Sequence, residues 1–285
     1  MSPFSLLSMT QRKRQNLEKK VWEHYRIRRP AMPWRRTKNP YHIFVSEVML
    51  QQTQIPRVKE KYPEFLHRFP DIQSLASAPL RAVLAVWSGM GYNRRALYLQ
   101  KAAQEIVKKH TNLVPKNISA LDALPGIGPY SARAIACFAY DICEPFIETN
   151  IRRVIIHEFF PHKNEVRDEE ILHVLGEIEP AGRKREWYWA LMDYGREALK
   201  GLPNANRKSR HHVKQSKFEG SPRYIRANII LYLLEHKKAT LEELHMSLKK
   251  DRFLADVLEE DVSRILAGLE KEKLIKTSKV FFRVA

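Results

Sequence analysis

The chain has 285 residues, with 50 Lys and Arg against 32 Asp and Glu, and a formal net charge of +18. Hydrophobic residues make up 44% and aromatics 10%, enough for a buried core, so intrinsic disorder is excluded as the overall class. The length suits about two domains, and so large a surplus of positive charge points to a polyanion as partner, nucleic acid foremost.

Taken in chain order, the charged stretch 11–26 reads as a first helix. Residues 41–53 follow, apolar at Ile43, Phe44, Val48 and Leu50, and the stretches 76–86 and 96–108 repeat apolar residues at three- and four-residue spacing. Pro70, Gly89, Gly91 and Pro115 fall between these segments. A short helix at 118–124 and a small-residue helix at 131–140 flank Leu124-Pro125-Gly126-Ile127-Gly128-Pro129-Tyr130. Two glycines two apart allow a tight hairpin, and without side chains their amides can approach a phosphate at the next helix's N-terminus. Residues 1–199 thus read as an all-helical bundle with short connections.

Residues 200–220 carry six basic groups, one acid and almost no apolar side chain, and read as a solvated basic linker able to add phosphate contacts. His211 and His212 are read as linker residues, not metal ligands. In residues 221–285, a strongly apolar helix at 224–235 precedes Thr240, the expected N-cap of a helix at 241–249. A third helix at 259–273 carries Val262, Ile265, Leu266 and Leu269 on one face. Strands at 274–277 and 280–284 turn at Lys279, giving a small winged-helix-like domain, a fold that serves DNA and protein contacts alike.

No run of 18 apolar residues occurs, and the N-terminus lacks the basic start of a secretory signal. A soluble, intracellular protein of cytoplasm or nucleoid, without membrane partners, is expected. Cys137 and Cys143 are the only cysteines, too few for a zinc or iron–sulfur site, and are expected to be buried, reduced thiols.

Four motifs occur in one order: Ser46-Glu47-Val48-Met49-Leu50-Gln51-Gln52-Thr53-Gln54, Trp87-Ser88-Gly89-Met90-Gly91-Tyr92, the Gly126–Gly128 hairpin, and Glu148-Thr149-Asn150-Ile151-Arg152-Arg153-Val154. Across residues 20–199 this resembles the helix-hairpin-helix DNA glycosylases, specifically their MutY-like adenine-glycosylase branch. The resemblance implies a mainly α, two-lobed glycosylase core, with Glu47 as the acid that protonates the departing adenine. Gln52 matches the residue that wedges into the base stack, Thr53, Met90 and Tyr92 match positions near the opposing base, and Trp34 and Arg35 match the loop bordering the base pocket. Tyr130 takes the slot that bifunctional relatives fill with a catalytic lysine, so no strong strand-cleaving lyase activity is implied. Gly126 and Gly128 would grip the phosphate backbone, with a monovalent cation at the hairpin as a candidate companion and no other cofactor.

The residue types suit the chemistry. Breaking an N-glycosidic bond leaves positive charge on the sugar and negative charge on the base, so one carboxyl must be protonated and another ionised. Glu47 lies among Phe44, Val45, Val48 and Met49, an apolar setting, whereas Glu148 precedes Asn150 and two arginines.

The chain departs from the pattern at three points. Glu148 stands where the family has aspartate, one methylene shorter, although its separation of 18 residues from Tyr130 is kept. It reaches the same point only if the backbone retreats or the rotamer folds back; an ion pair with Arg152 is the structural alternative. Leu199 occupies the first ligand position of the family's four-cysteine iron–sulfur cluster, so no cluster is expected and Trp187-Tyr188-Trp189 are expected to hold that end of the core. The C-terminal 65 residues are shorter than, and patterned unlike, the branch's 8-oxoguanine-recognising domain. The expected protein is therefore a monomeric, monofunctional glycosylase of mispaired or damaged double-stranded DNA, most simply of adenine opposite 8-oxoguanine or guanine. A uracil, thymine or other damaged-base glycosylase and a non-catalytic lesion-binding protein are the alternatives.

Overall fold

The computed structural model describes residues 3–28, 30–210 and 217–285, with side chains from residue 11 onward; His211 and His212 lie outside the described residues. The described residues are mainly helical: α1 (Pro3–Arg28), α2 (Pro40–Leu50), α3 (Ile55–Arg68), α4 (Ile72–Ser77), α5 (Leu80–Trp87), α6 (Arg94–Lys109), α7 (Ile118–Asp122), α8 (Pro129–Tyr140), α9 (Thr149–Phe159), α10 (Asp168–Ile178), α11 (Lys184–Glu197), α12 (Pro222–His236), α13 (Leu241–Lys249) and α14 (Glu259–Lys271). A single antiparallel hairpin, β1 (Ile275–Ser278) and β2 (Phe281–Val284), closes the chain.

Local chemistry sets several boundaries. The stretch 76–86, read as one helix, is two, because Pro79 has no N–H to continue a ladder and Ala78 before it is extended. Asp71 and Ser74 form a reciprocal capping box that starts α4. Helix α3 runs on through Pro63 because Val58, Tyr62 and Phe65 bury one face. Thr240 caps α13 as expected, its hydroxyl accepting from Glu243 N while the Glu243 carboxylate accepts from Thr240 N.

The Cα positions group into two compact units, each discontinuous in sequence. The first comprises residues 1–43, 116–122 and 127–214. Its core joins Leu17, Val21 and Tyr25 of α1 to Ile151, Val154 and Ile155 of α9 and to Trp187, Tyr188 and Trp189 of α11, all buried as expected for the aromatic run. Gly195 lets α11 approach α9 closely: a Cβ there would collide with the Asn150 carbonyl. The stretch read as a solvated linker is partly packed here. Asn206 donates to Thr149 O at 3.0 Å, Ser209 Oγ accepts from Arg152 at 2.9 Å, and Val166 pairs with Ser209, because side-chain amides and hydroxyls supply the anchoring that apolar residues do not.

Cys137 and Cys143 are joined in a disulfide, contrary to the expectation of reduced thiols. The left-handed Asp141 ends α8 and reverses the chain, bringing the two Cα atoms to 4.2 Å.

The second unit comprises residues 44–115, 123–126 and 215–285. Helices α12, α13 and α14 precede the hairpin, which is registered as Ile275 opposite Val284 and Lys276 opposite Arg283. Within this unit Arg81 donates to the carbonyls of Leu233 and Leu234 at the end of α12, and Arg94 pairs with Glu272 at 3.8 Å. The tail thus packs on α5 through groups that satisfy helix-terminal carbonyls.

Candidate active site

In the second unit, Glu47 lies on α2, where Phe44, Val45, Val48 and Met49 are also buried, and is itself only 5% exposed. Its helix ends at Leu50, and the carbonyls left over there meet Arg95 near the start of α6. One guanidinium donates to Val48 O and Met49 O, both at 3.1 Å, and to Gln51 O, Thr53 Oγ1 (2.8 Å), Met90 O (3.0 Å) and Gly91 O (3.2 Å). It also lies over the rings of Trp87 and Tyr92. Burial lowers the Arg95 pKa to about 10, with Tyr92 acting in the opposite sense, so it stays cationic at neutral pH. The two loops 51–53 and 90–92 therefore share one charged clamp.

Gln52 is exposed at the tip of the first loop in a left-handed conformation, φ 56°. Thr53 contacts Met90 O at 3.4 Å, Met90 is buried, and Tyr92 is 37% exposed, with φ 48°. The Tyr92 hydroxyl accepts from Arg223 of α12 at 2.6 Å. Gly126 belongs to the same unit: its carbonyl accepts from Gln51 Nε2 at 3.5 Å, its φ is 76°, and a Cβ would lie 2.6 Å from Tyr98 Cβ. Only glycine suits that position.

In the first unit, Gly128 is the N-cap of α8, with Pro129 at its first position. Tyr130 packs edge-on against Phe146, which stacks on Tyr188 at 4.2 Å. Glu148 is the N-cap of α9. Its carboxylate accepts from Asn150 N (2.7 Å), Ile151 N (3.4 Å) and Asn150 Nδ2 (3.0 Å). The extra methylene is thus taken up by a rotamer folded back over its own helix end. The alternative partner Arg152 is engaged elsewhere, bidentate to Asp168. Burial pushes the Glu148 carboxyl above its ordinary range, outweighing these hydrogen bonds and the nearby Arg196, so the position is less readily ionised than its polar neighbours suggested. Trp34 is buried in a 3-10 turn, and Arg35 forms a fork with fully buried Asp193 at 2.6 and 3.1 Å.

Glu47, Gln52, Thr53, Met90, Tyr92 and Gly126 therefore share one unit, and Trp34, Arg35, Gly128, Tyr130 and Glu148 the other. Sequence reasoning missed Arg95. The available signal was an arginine in the first turn of a helix, where the dipole disfavours a cation unless other acceptors hold it.

Residues 45–179 match the model of the HhH-GPD superfamily base excision DNA repair protein. Among curated relatives, an "Adenine DNA glycosylase" of Mycobacterium tuberculosis is 44% identical over 125 residues, covering 44% of this chain and 41% of its own length. One of Buchnera aphidicola subsp. Baizongia pistaciae is 35% identical over 187 residues, 65% of this chain and 53% of its own. The chain spans about half the length of these relatives. A thermostable thymine-DNA glycosylase structure shares the fold at TM-score 0.61 and 24% identity, covering 70% of this chain and 94% of that one. An endonuclease III–DNA covalent intermediate does so at 0.58 and 18%, covering 67% and 89%.

The residues present do not fit a four-cysteine cluster. Leu199 is buried and apolar, and the only two cysteines are bonded to each other. Among the described residues no group of three or more His, Cys, Asp or Glu could hold a metal ion, and no helix is long and apolar enough to cross a membrane.

Proposed function

We propose that the chain is a monofunctional adenine DNA glycosylase of base excision repair, which flips a mispaired adenine out of duplex DNA, opposite 8-oxoguanine or guanine, and hydrolyses its N-glycosidic bond. The observation that carries this reading is the buried carboxyl of Glu47 within an HhH-GPD segment whose relatives bear the name adenine DNA glycosylase. Shielded from bulk water, this carboxyl is the acid that must hand its proton to a ring nitrogen of the departing base. Glu47, now ionised, then takes a proton from the water that adds to the sugar's anomeric carbon. Glu148, ionised, balances the positive charge on the sugar while the bond is broken.

The remaining roles follow the same reading. Exposed Gln52 fills the gap left by the flipped base, with Thr53, Met90 and Tyr92 beside the opposing base. Trp34 and Arg35 border the base pocket, Arg35 fixed by Asp193. Tyr130, lacking an amine, forms no Schiff base, so strand cleavage is not expected. The amides at Gly126 and Gly128 hold phosphate, with a monovalent cation as a candidate companion, and no step depends on it. The enzyme acts as a monomer.

Single-turnover reactions on duplexes with adenine opposite 8-oxoguanine or guanine, and with U:G, T:G or hypoxanthine, each followed by alkaline scission, test the proposal. Product from the adenine duplexes that disappears in Glu47→Gln supports it. Release of only uracil or thymine, or tight binding without product, overturns it.

A further inference from the structure

The tail carries only three net positive charges, but its charge is segregated. The first turns of α13 and α14 are acidic, with Glu242 and Glu243 on one and Glu259, Glu260 and Asp261 on the other. The closing segment 274–285 holds Lys276, Lys279 and Arg283 and no acid. A groove of about 370 Å³ opens beside it, lined by Arg81, Lys237, Lys276, Arg283, Val284 and Ala285, four cations without an acidic side chain.

Two of these cations have an ordinary structural account. Arg81 donates to the last carbonyls of α12 and Lys237 follows that helix's end, where the dipole favours positive charge. Lys276 and Arg283 have none. They face each other directly across the hairpin, both exposed, and like charges so placed destabilise a strand pair. Among the described residues neither these two nor Lys237 has an ion-pair partner within 4 Å. An anion entering the groove would relieve that repulsion.

We infer that this groove, built by Lys237, Lys276 and Arg283 on a floor fixed by Arg81, is a second DNA contact that binds backbone phosphates independently of sequence. The inference rests on the DNA-binding part of the proposed function and not on its catalysis. Duplex DNA is favoured over an acidic protein because the chain as a whole carries +18 and matches the model of a DNA repair superfamily over residues 45–179. Arg223, at the other end of α12, lies roughly 20 Å away by helix rise, so the groove adds reach to loop 90–92.

The test is the salt dependence of binding to an undamaged fluorescein-labelled duplex, read by anisotropy from 50 to 200 mM KCl. The full chain is compared with K276A/R283A, with the charge-preserving K276R/R283K, and with K59A/K108A as a control for charge outside the groove. Each lost phosphate contact lowers the log–log slope by about 0.9. The groove variant should therefore lose about 1.8 of slope, so that its affinity falls about tenfold less than that of the wild type between 50 and 200 mM KCl, while the charge-preserving variant and the control keep theirs. Its thermal stability should be equal or higher, since a repulsion has been removed. Single-turnover excision at saturating enzyme should be unchanged. An unaltered slope beside salt-sensitive wild-type binding overturns the groove assignment. So does loss of poly-glutamate binding alone, which would mark an acidic-protein site. A wild-type chain that shows no salt-dependent DNA binding instead sinks the DNA-binding reading on which both rest.

Discussion

Replacing Arg95 by Met removes one guanidinium while nearly preserving the length of its apolar stem. Six acceptors each lose one donor at once: three carbonyls at and beyond the end of α2, one hydroxyl and two carbonyls of loop 90–92. A hydrogen bond to a charged group contributes about 1.5–3 kcal/mol. Six cannot each reach that value from two nitrogens, and the exposed loop carbonyls can turn to water. A net loss of about 3–5 kcal/mol is therefore expected, a large share of the roughly 5–15 kcal/mol that holds a domain folded. Circular dichroism should show a fall in Tm of roughly 10 °C. Arg95→Lys keeps the charge but not the fork and should lose about half as much. Because the clamp sets loops 51–53 and 90–92 together, Arg95→Lys should also weaken duplex binding while its helicity stays at the wild-type level. A Met variant that unfolds within about 1 kcal/mol of wild type in urea would refute the clamp.

Gly126→Ala forces a Cβ at positive φ against Tyr98 and should cost at least about 1–2 kcal/mol, whereas Gly128→Ala, whose Cβ meets open space, should leave the urea midpoint near wild type; equal loss in both contradicts the geometry. Reducing the Cys137–Cys143 bridge, or replacing Cys143 by Ser, reopens a six-residue separation worth about 2 kcal/mol in chain entropy, so melting with and without reductant should differ by several degrees; identical curves exclude a stabilising bridge. The folded chain holds a proton on Glu148 more tightly than the unfolded chain does. That group's contribution to stability therefore falls as pH rises through its raised pKa, while excision, which needs it ionised, falls as pH drops through the same value. The acid limb of the single-turnover profile should lie above 4.5, and a limb at or below 4.5 contradicts the burial of this carboxyl.

Local signals gave what they physically contain. Thr240 and Glu243 mark a helix start because the capping bonds span three residues, and Lys279 marks the hairpin turn because a left-handed residue is needed there. Helix α3 escaped because Pro63 argues against a helix interior, while the burial of Val58, Tyr62 and Phe65 that sustains it comes from the rest of the fold. The disulfide escaped because a separation of six positions between cysteines says nothing of the left-handed turn that closes the distance. At the candidate site the apolar company of Glu47 was legible along α2. The cap made by Glu148 was only half legible, since its hydrogen bonds are local but its desolvation is not.

The arginines show why composition misleads about contact. Arg81, Arg95 and Arg153 each donate to carbonyls left over at or near the ends of helices, Arg153 to Leu199 O and Leu202 O beyond α11. Arg35 and Arg152 fork onto Asp193 and Asp168. All five still shape the long-range field that draws a polyanion in, because that field depends on summed charge. The salt slope depends instead on cations that touch phosphate, and a guanidinium already holding two to six protein acceptors has few donors left for one. The net charge of +18 therefore governs the rate of encounter, and a smaller set of unengaged cations governs the grip. On that division, under the proposed function, the tail, with the least net charge of any segment but with Lys237, Lys276 and Arg283 unpaired among the described residues, would contribute more to holding DNA than its +3 implies.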